Sequence, residues 1–304
     1  MIKVNTTVTK PRKSGADVAF VVCNTLFMIA FVVITLYPVL NTVAVSFNDG
    51  TDAVRGHIGL WPRIFSLKSY NTVLQKPTMK TAAIVSVLRT IIGTVLALAT
   101  NALLAFVVSR KKFLFKSELS LFWVITMYVN GGMIPYIILY KTLHLSGTFW
   151  VYVIPGMLNA FNMLVMRTYM NGIPDSLEES AQLDGAGYFT IFWKIISPLC
   201  LPVYATVALF VAVGQWNSWF DTMLYNRMED KYTTLQYELM KLLNSVTSNK
   251  GQNSSTNNTT QQSTVTPVTV RAAATVITML PIICLYPFLQ RYFVTGLTIG
   301  GVKE

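Results

Sequence analysis

Long uncharged, mostly apolar runs recur along the chain and alternate with shorter polar segments; the first run is Val18–Asn48. A helix needs about 20 apolar residues to cross the hydrocarbon core of a bilayer, and each run is long enough or nearly so. Backbone groups in lipid must bond within the segment, and the runs lack the period-two alternation of a membrane barrel. The pattern therefore predicts an all-α membrane protein with six transmembrane helices. The predicted spans are residues 18–45, 82–108, 119–140, 148–168, 197–220 and 270–290.

Composition agrees with a membrane location. Of 304 residues, 53% are hydrophobic and 12% are charged, against roughly 25% charged in soluble domains. The net charge of +11 is explained by basic residues that flank the spans and contact lipid headgroups. No basic run alternates with aromatic residues, so nucleic acid is excluded as a partner. Three cysteines inside apolar runs and two histidines provide neither a zinc spacing nor a disulfide framework.

Two short basic loops predict the orientation. The N-terminal arm and the loop RKKFLFKSE, residues 110–118, each carry four basic residues and one acid. Short basic loops stay in the cytoplasm, which places both termini and the loop around Glu178 there. An outer loop contains the low-complexity tract SVTSNKGQNSSTNNTTQQST, which is too polar to form a core. The predicted segments are a cytoplasmic arm (1–17), a membrane domain (18–290), a cytoplasmic loop (171–197), an extracellular loop (221–269) and a cytoplasmic tail (291–304).

The chain lacks the sequence patterns of several catalytic and transport classes. It contains no G-x-x-x-x-G-K-[ST] phosphate-binding loop, and both histidines lie outside the apolar runs, which leaves no Ser/His/Asp set. We therefore predict no enzyme activity, no bound metal and no cofactor. The spans have no central Asp or Glu for a proton relay, although a sodium-driven carrier that uses backbone carbonyls stays open.

Arg89 lies within the second apolar region. A charge inside a span is by default a candidate functional residue. Because Arg89 is near the predicted outer end of its span, a long side chain there can extend to the interface. We favour this interfacial interpretation over a functional one.

The predicted cytoplasmic loop interrupts the apolar pattern with IPDSLEESAQLDGAG. The pairs Asp175–Glu178 and Ser176–Glu179 have the spacing of capping boxes, so we predict a helix over about 176–184. Gly185 then suits a left-handed C-terminal cap, and a second helix begins near Tyr188. From these residues alone, the segment is either a docking surface for a protein with a basic groove or an amphipathic connector between spans.

The segment ESAQLDGA, with the residues that follow it, resembles the EAA loop, E-A-A-x-x-x-G-x(9)-I-x-L-P, of the membrane subunits of ABC importers. Ser180 replaces the first Ala, and Ser197 stands where Leu is usual. QWNSWFD and the tail GLTIGGVK resemble the MalG branch of carbohydrate permeases, and YVNGGMIPYIILYKTLHLSGTFWVYVIP is similar to permeases of aldouronates and other complex glycans. The resemblance covers nearly the whole chain. The positions that match the EAA loop are Glu179, Ala181, Gly185, Ile195 and Pro198.

The resemblance implies a permease subunit of an ATP-driven importer in the bacterial cytoplasmic membrane, with six helices in the type I arrangement and a cytoplasmic coupling helix. A homologous second permease would complete the pathway for an oligosaccharide or complex glycan. Two copies of an ATPase would bind ATP and Mg, and an extracellular solute-binding protein would deliver the glycan. The coupling helix would sit in a cleft of the ATPase, with Glu179 facing a basic residue. The implied coupling residues are Leu177, Glu178, Glu179, Ser180, Ala181, Asp184, Gly185 and Ala186.

Sugars bind to aromatic faces and to planar hydrogen-bonding side chains, and both kinds occur in the third, fourth and fifth spans. Each such residue has a second interpretation, because buried polar groups also join helices and aromatic residues also anchor span ends at the interface. Tyr292 and Phe293 in the tail favour packing. The candidate pathway residues are Tyr128, Asn130, Asn162, Trp216, Asn217, Trp219 and Asp221.

Two other functions stay open at this point. The same machine could carry a non-sugar solute, which the tail and the Trp-Asn motif disfavour. A self-sufficient secondary transporter would carry its solute without ATP and usually shows internal repeats, and we find none in the sequence.

Overall fold

The structure is a computed structural model that describes residues 15–249 and 265–299. Within these ranges the chain is almost wholly helical, with one isolated antiparallel bridge between Asn48 and Phe65. The described residues divide into two compact units, 15–69 with 265–273 and 70–249 with 274–299. Most of the predicted N-terminal arm, most of the polar tract and the end of the tail motif lie outside the described residues.

The first unit begins with a long helix, α1 (Gly15–Ser46), and a short one, α2 (Gly50–Val54). The side chains of α1 are exposed along most of its length, apolar ones included, from Val18 to Tyr37. Burying exposed apolar surface is favourable by about 25 cal/mol per Å². An uncovered apolar helix of this length therefore fits contact with lipid, as predicted for the first span.

A hydrogen-bonded loop follows α1. The Asn48 amide donates to Asp52 Oδ2 at 2.8 Å, and Arg63 Nε donates to the same oxygen at 3.0 Å. The Asn48 Oδ1 atom accepts from the backbone N–H groups of Arg63 and Ile64 at 2.8 and 3.0 Å. The bonds that Asn48 and Arg63 donate to Asp52 hold the pKa of Asp52 below its usual range, and the Asn48 bond is the largest cause. The loop after the first span is thereby folded on itself.

In the second unit, helices alternate with sharp bends. The helices from α3 onward are α3 (Lys68–Leu74), α4 (Pro77–Ser109), α5 (Lys116–Tyr128), α6 (Met133–Thr142), α7 (Ala160–Asn171), α8 (Asp175–Leu183), α9 (Tyr188–Ile191), α10 (Ser197–Leu199), α11 (Leu201–Asn217), α12 (Phe220–Tyr225), α13 (Leu235–Asn249) and α14 (Pro267–Ile299). Short 3-10 turns cover Phe149–Tyr152, Ile154–Gly156 and Asp230–Tyr232, and a π-helical turn covers Phe192–Ile196.

Three helices are long and apolar enough to cross a membrane: α1, α4 and the part of α14 up to Cys284. Three further candidates are bent pairs: α5 with α6 at 114°, the 3-10 turns before α7 with α7 at 44°, and the helix from α9 to α10 with α11 at 79°. The described residues therefore provide three single-helix spans, and up to six if every bent pair is one span. The count of six stays a prediction.

The sharpest bend lies between α5 and α6, inside the predicted third span. Gly132 has a φ of 83°, a left-handed conformation that glycine adopts without steric cost. Its N–H group donates to the Asn130 side chain at 2.9 Å. Asn130 thus stabilises the turn that breaks the helix.

The core of the second unit forms where α4 packs against α7 and α11. Small residues of α4 let the helices approach closely, and three methionines of α7 fill the space between them. Sulfur-containing chains suit irregular gaps because they are flexible and polarisable. The buried core residues are Ala102, Ala105, Phe106, Met163, Met166, Met170, Ala181, Ile191, Phe192, Ile196, Cys200, Val203 and Val207.

Candidate coupling surface and translocation cavity

Helix α8 occupies the polar interruption, from Asp175 to Leu183, one residue earlier at each end than the sequence predicts. It ends in a left-handed cap, because Gly185 has a φ of 81°. The Ala186 N–H group donates to the Ala181 carbonyl at 2.9 Å, and the Gly185 N–H group donates to the Gln182 carbonyl at 3.0 Å. This pattern is a Schellman motif, and it confirms the predicted conformation of Gly185.

The predicted capping boxes are wrong. Pro174 is the N-cap residue, and no side chain caps the helix. The carboxylates of Asp175 and Glu178 instead accept hydrogen bonds from Lys111 and Arg110, in the loop that follows α4. Folding places a cation within hydrogen-bond distance of each acid, so the two carboxylates bond to the segment after α4 rather than to the backbone of their own helix.

The contact between Arg110 and Glu178 is largely shielded from solvent, with side chains 12% and 15% exposed. The Arg110 guanidinium also lies 4.7 Å from the centre of the Phe106 ring. Gln182 Nε2 donates to Glu178 Oε1 at 2.9 Å, and Lys112 Nζ donates to Gln182 Oε1 at 3.2 Å. We call this set (Arg110, Lys112, Glu178 and Gln182) the α4–α8 clamp.

A second ion pair, between Lys111 and Asp175, also joins the segment after α4 to α8. It is solvent-exposed, with side chains 77% and 49% accessible. The hydrogen bond between them lowers the pKa of Asp175 and raises the pKa of Lys111. Exposed pairs of this kind contribute little to stability. The clamp is therefore the contact that fixes α8 against the end of α4.

The predicted coupling residues are distributed over two sides of α8. Ala181 is buried in the core of this chain, so its side chain is not exposed on the surface of α8. Glu178 is held in the clamp, and Ala186 packs against the core. The exposed face of α8 carries two carboxylates, those of Glu179 and Asp184, beside the apolar side chains of Leu177 and Leu183. Its exposed residues are Leu177, Glu179, Ser180, Leu183, Asp184 and Gly185.

Arg89 does not extend to an interface, which contradicts the favoured prediction. Its side chain is 2% exposed and lies within 2.5 Å of Asp221. The guanidinium donates to both carboxylate oxygens of Asp221, twice to Gln215 Oε1 at 2.9 and 3.0 Å, and to the Ser218 carbonyl at 3.4 Å. It also lies 4.4 Å from the centre of the Tyr152 ring. A buried cation requires such partners, since an unpaired one is strongly destabilising.

A cavity of about 590 Å³ opens beside this ion pair. Its walls come from α4, α6, the turns before α7, and α7, α11 and α12. They combine amide, hydroxyl and aromatic groups, which are the side-chain types that bind sugars. The lining includes Arg89, Tyr140, Tyr152, Asn159, Phe161, Asn162, Phe210, Gln215, Ser218, Asp221 and Tyr225.

Of the predicted pathway residues, the structure brings Asn162 and Asp221 to this cavity. Trp216 is buried instead and donates its indole N–H to the Thr278 carbonyl at 2.9 Å, which joins α11 to α14. Trp219 lines a separate pocket against α13. The remaining three candidates are outside the cavity, and all three are exposed: Tyr128, Asn130 and Asn217.

Sequence analysis missed Gln215, Tyr152 and Asn159 as cavity residues. Gln215 could have been predicted from the sequence, because it begins the motif QWNSWFD and a buried arginine needs hydrogen-bond acceptors nearby. The same reasoning pairs Arg89 with Asp221, the acid at the end of the fifth apolar run. No sequence pattern marks Tyr152 and Asn159 as cavity residues, because their positions in the cavity wall depend on how the turns before α7 fold.

Comparisons with known proteins identify the class. Residues 8–220 match the family described as the binding-protein-dependent transport system inner membrane component. The chain therefore belongs to this family of membrane permease components.

Similar proteins extend the match over nearly the full length. The polygalacturonan/rhamnogalacturonan transport system permease protein YtcP of Bacillus subtilis (strain 168) is 32% identical over 277 residues, 91% of this chain and 96% of its own length. Protein LplC of the same organism is 35% identical over 286 residues, 93% and 95% of the two chains. Among solved structures, a chain of a bacterial ABC transporter that imports the acidic polysaccharide alginate superposes with a TM-score of 0.83 and 28% identity, covering 93% of this chain and 100% of that one.

Proposed function

We propose that this chain is one of two permease subunits of an ATP-driven importer for an oligosaccharide or complex glycan. The observation that carries the proposal is the match in sequence and fold, over nearly the whole chain, to permeases of polysaccharide transport systems. A homologous second permease would form the other half of the pathway. A solute-binding protein would deliver the glycan from outside, in keeping with the family to which the chain belongs.

In this proposal α8 is the coupling helix, and the ATP is hydrolysed by two copies of a cytoplasmic ATPase. The exposed face of α8 presents the free carboxylate of Glu179 next to Leu183, which is 89% exposed. A charged group and an apolar side chain on one short helix suit a cleft with a basic residue and an apolar wall. The left-handed cap at Gly185 turns the chain sharply after the helix, so α8 is a short, compact helix with one exposed face.

The clamp supports this assignment because it ties α8 to α4. Arg89 and Arg110 are 21 positions apart on and just after α4, which corresponds to roughly 30 Å along a helix. A displacement of α8 by the ATPase would therefore reach the cavity through a single continuous helix. The proposal also places six spans in the bilayer, with both termini and α8 on the cytoplasmic side.

The proposal is tested by purifying the tagged chain from its native membrane in mild detergent and identifying the proteins that accompany it. We expect a second permease and an ATPase, and glycan uptake by the reconstituted complex that requires ATP. A chain that purifies alone and transports without ATP would refute the proposal. An intact complex that moves a non-sugar solute would leave the machine in place and refute the substrate class.

A further inference from the structure

The cavity beside Arg89 has a specific charge balance. Among its lining residues, Arg89 and Asp221 are the charged ones, and they bond to each other. The cavity therefore carries no net charge from its walls. What a ligand meets there depends on which of the two charges is accessible to it.

The cation is not available to a ligand. A guanidinium has five N–H donors, and all five donors of Arg89 are used, by Gln215, Asp221 and the Ser218 carbonyl. The stacked Tyr152 ring covers one face of the group. With 2% of its side chain exposed, Arg89 positions Asp221 and Gln215 rather than contacting a ligand.

The anion is more accessible. The side chain of Asp221 is 22% exposed, and its oxygens accept two bonds from Arg89 and one from the Thr222 N–H group at 2.8 Å. A carboxylate has about four acceptor positions, so one acceptor position is unused by the described residues, on a side chain that lines the cavity. A hydroxyl group can donate to it, whereas a second carboxylate at this position meets a like charge.

The remaining walls are neutral. Asn162 is 8% exposed as a residue, and its side chain has no hydrogen-bond partner within residues 15–249 and 265–299. The rings of Tyr140 and Tyr225 meet edge to face with centres 5.2 Å apart, and Phe161 and Phe210 line the cavity as well. An amide that both donates and accepts, beside aromatic faces, suits the hydroxyls and the apolar face of a sugar ring.

We propose that this cavity binds an uncharged sugar unit, with a ring hydroxyl donating to Asp221 and further hydroxyls bonding to Asn162, and that it discriminates against a uronate unit at the same position. The inference rests on the proposed function, since it assumes that the cavity lies on the glycan pathway. Its physical basis is that a uronate carboxylate would face Asp221 while the single lining cation is already saturated. Like-charge contacts of this kind suppress unsuitable ligands strongly.

The test uses the complete importer in proteoliposomes with its solute-binding protein, and two matched probes: oligogalacturonides and the same oligogalacturonides with every carboxyl methyl-esterified. A series of neutral arabino-, xylo- and malto-oligosaccharides is measured alongside. We expect neutral and esterified glycans to stimulate ATP hydrolysis and uptake at least about tenfold more than uronates. Equal or better uptake of uronates would overturn the inference and leave the proposed function intact. If no glycan stimulates hydrolysis, the proposed function fails as well.

A variant pair separates the cavity from the binding protein. Asn162→Arg adds an unpaired cation to the cavity and is expected to shift the ratio toward uronates by about tenfold. The control, Asn71→Arg, makes the same change at an exposed position of α3, outside the cavity and outside the predicted spans, and is expected to leave the ratio unchanged. If Asn162→Arg fails to assemble, Asn162→Asp is expected to shift the ratio further toward neutral glycans. A ratio that follows neither Asn162 variant would overturn the inference.

Discussion

Replacing Glu178 by Gln tests the α4–α8 clamp. The substitution keeps the shape of the side chain, removes its charge, and leaves the shielded Arg110 guanidinium without its counter-charge. Hydrogen bonds to charged groups contribute about 1.5 to 3 kcal/mol each, and fully buried pairs lose about 3 to 5 kcal/mol when one partner is removed. Because the two side chains keep 12% and 15% exposure, we expect a loss near the lower figures, about 2 kcal/mol.

For a chain of 304 residues, whose unfolding entropy is about 0.64 kcal/mol per K at about 2.1 cal/mol/K per residue, 2 kcal/mol corresponds to a fall of roughly 3 °C in the midpoint of thermal unfolding. The assay is thermal unfolding of the purified importer in detergent, followed by ATP hydrolysis in proteoliposomes. The control is Lys111→Gln in the exposed neighbouring pair, which should leave the midpoint unchanged. The charge swap Arg110→Glu with Glu178→Arg should recover part of what each single change loses. A wild-type midpoint for Glu178→Gln, or an equal loss for Lys111→Gln, would refute the clamp as the fixing contact.

Four further outcomes are expected. Glu179→Ala should keep the unfolding midpoint and reduce recovery of the ATPase on co-purification; unchanged recovery would remove this carboxylate from the coupling surface. Gly185→Ala should lower the midpoint through backbone strain of about 1 kcal/mol, while Gly185→Asn should lower it less; equal midpoints would argue against the left-handed cap. Gly93→Ala would place its Cβ 2.9 Å from Gln215 Nε2 and should reduce uptake by displacing that amide; wild-type uptake would show that the amide moves freely. The pKa of Asp52 is lowered by its hydrogen bonds to Asn48 and Arg63, so its carboxylate stays charged, and the loop it holds stays folded, until the pH falls below the ordinary carboxyl range. The loop should therefore resist proteolysis equally from pH 8 to 5 and open below about pH 4. Opening at pH 6 would show that the Asp52 carboxylate does not hold the loop.

The positions of most helices could be predicted from the sequence, because they depend on local properties. Apolar runs long enough to cross a bilayer correspond to α1, α4 and α14, and Gly185 adopts the conformation that its place after a short helix favours. The break between α5 and α6 was missed, although the sequence Asn130-Gly-Gly is a turn signal. Hydropathy averaged over a span does not detect a bend within it.

The capping boxes failed for a different reason. The spacing Asp175–Glu178 fits a cap, yet both acids lie beside basic residues that are more than 60 positions away in the chain. Local spacing cannot register a competing partner that arrives through folding. A carboxylate that caps a helix and a carboxylate that bonds to a cation both make charge-assisted hydrogen bonds, and here folding brings a cation to each acid, so the tertiary contact takes the place of the local one.

By itself, the sequence determined that this protein is an apolar, helical membrane permease with a polar loop that resembles the coupling loop of ABC importers, since composition, hydropathy and motif spacing are properties of neighbouring residues. The tertiary structure decided which polar side chains share a site. Arg89 and Asp221 are 132 positions apart and meet because α4 packs against α11, whereas Tyr128 and Trp216, similar in type to the cavity residues, end elsewhere. The buried charge of Arg89 requires a partner, and Asp221 is the acid that this packing brings within reach, at the wall of the cavity.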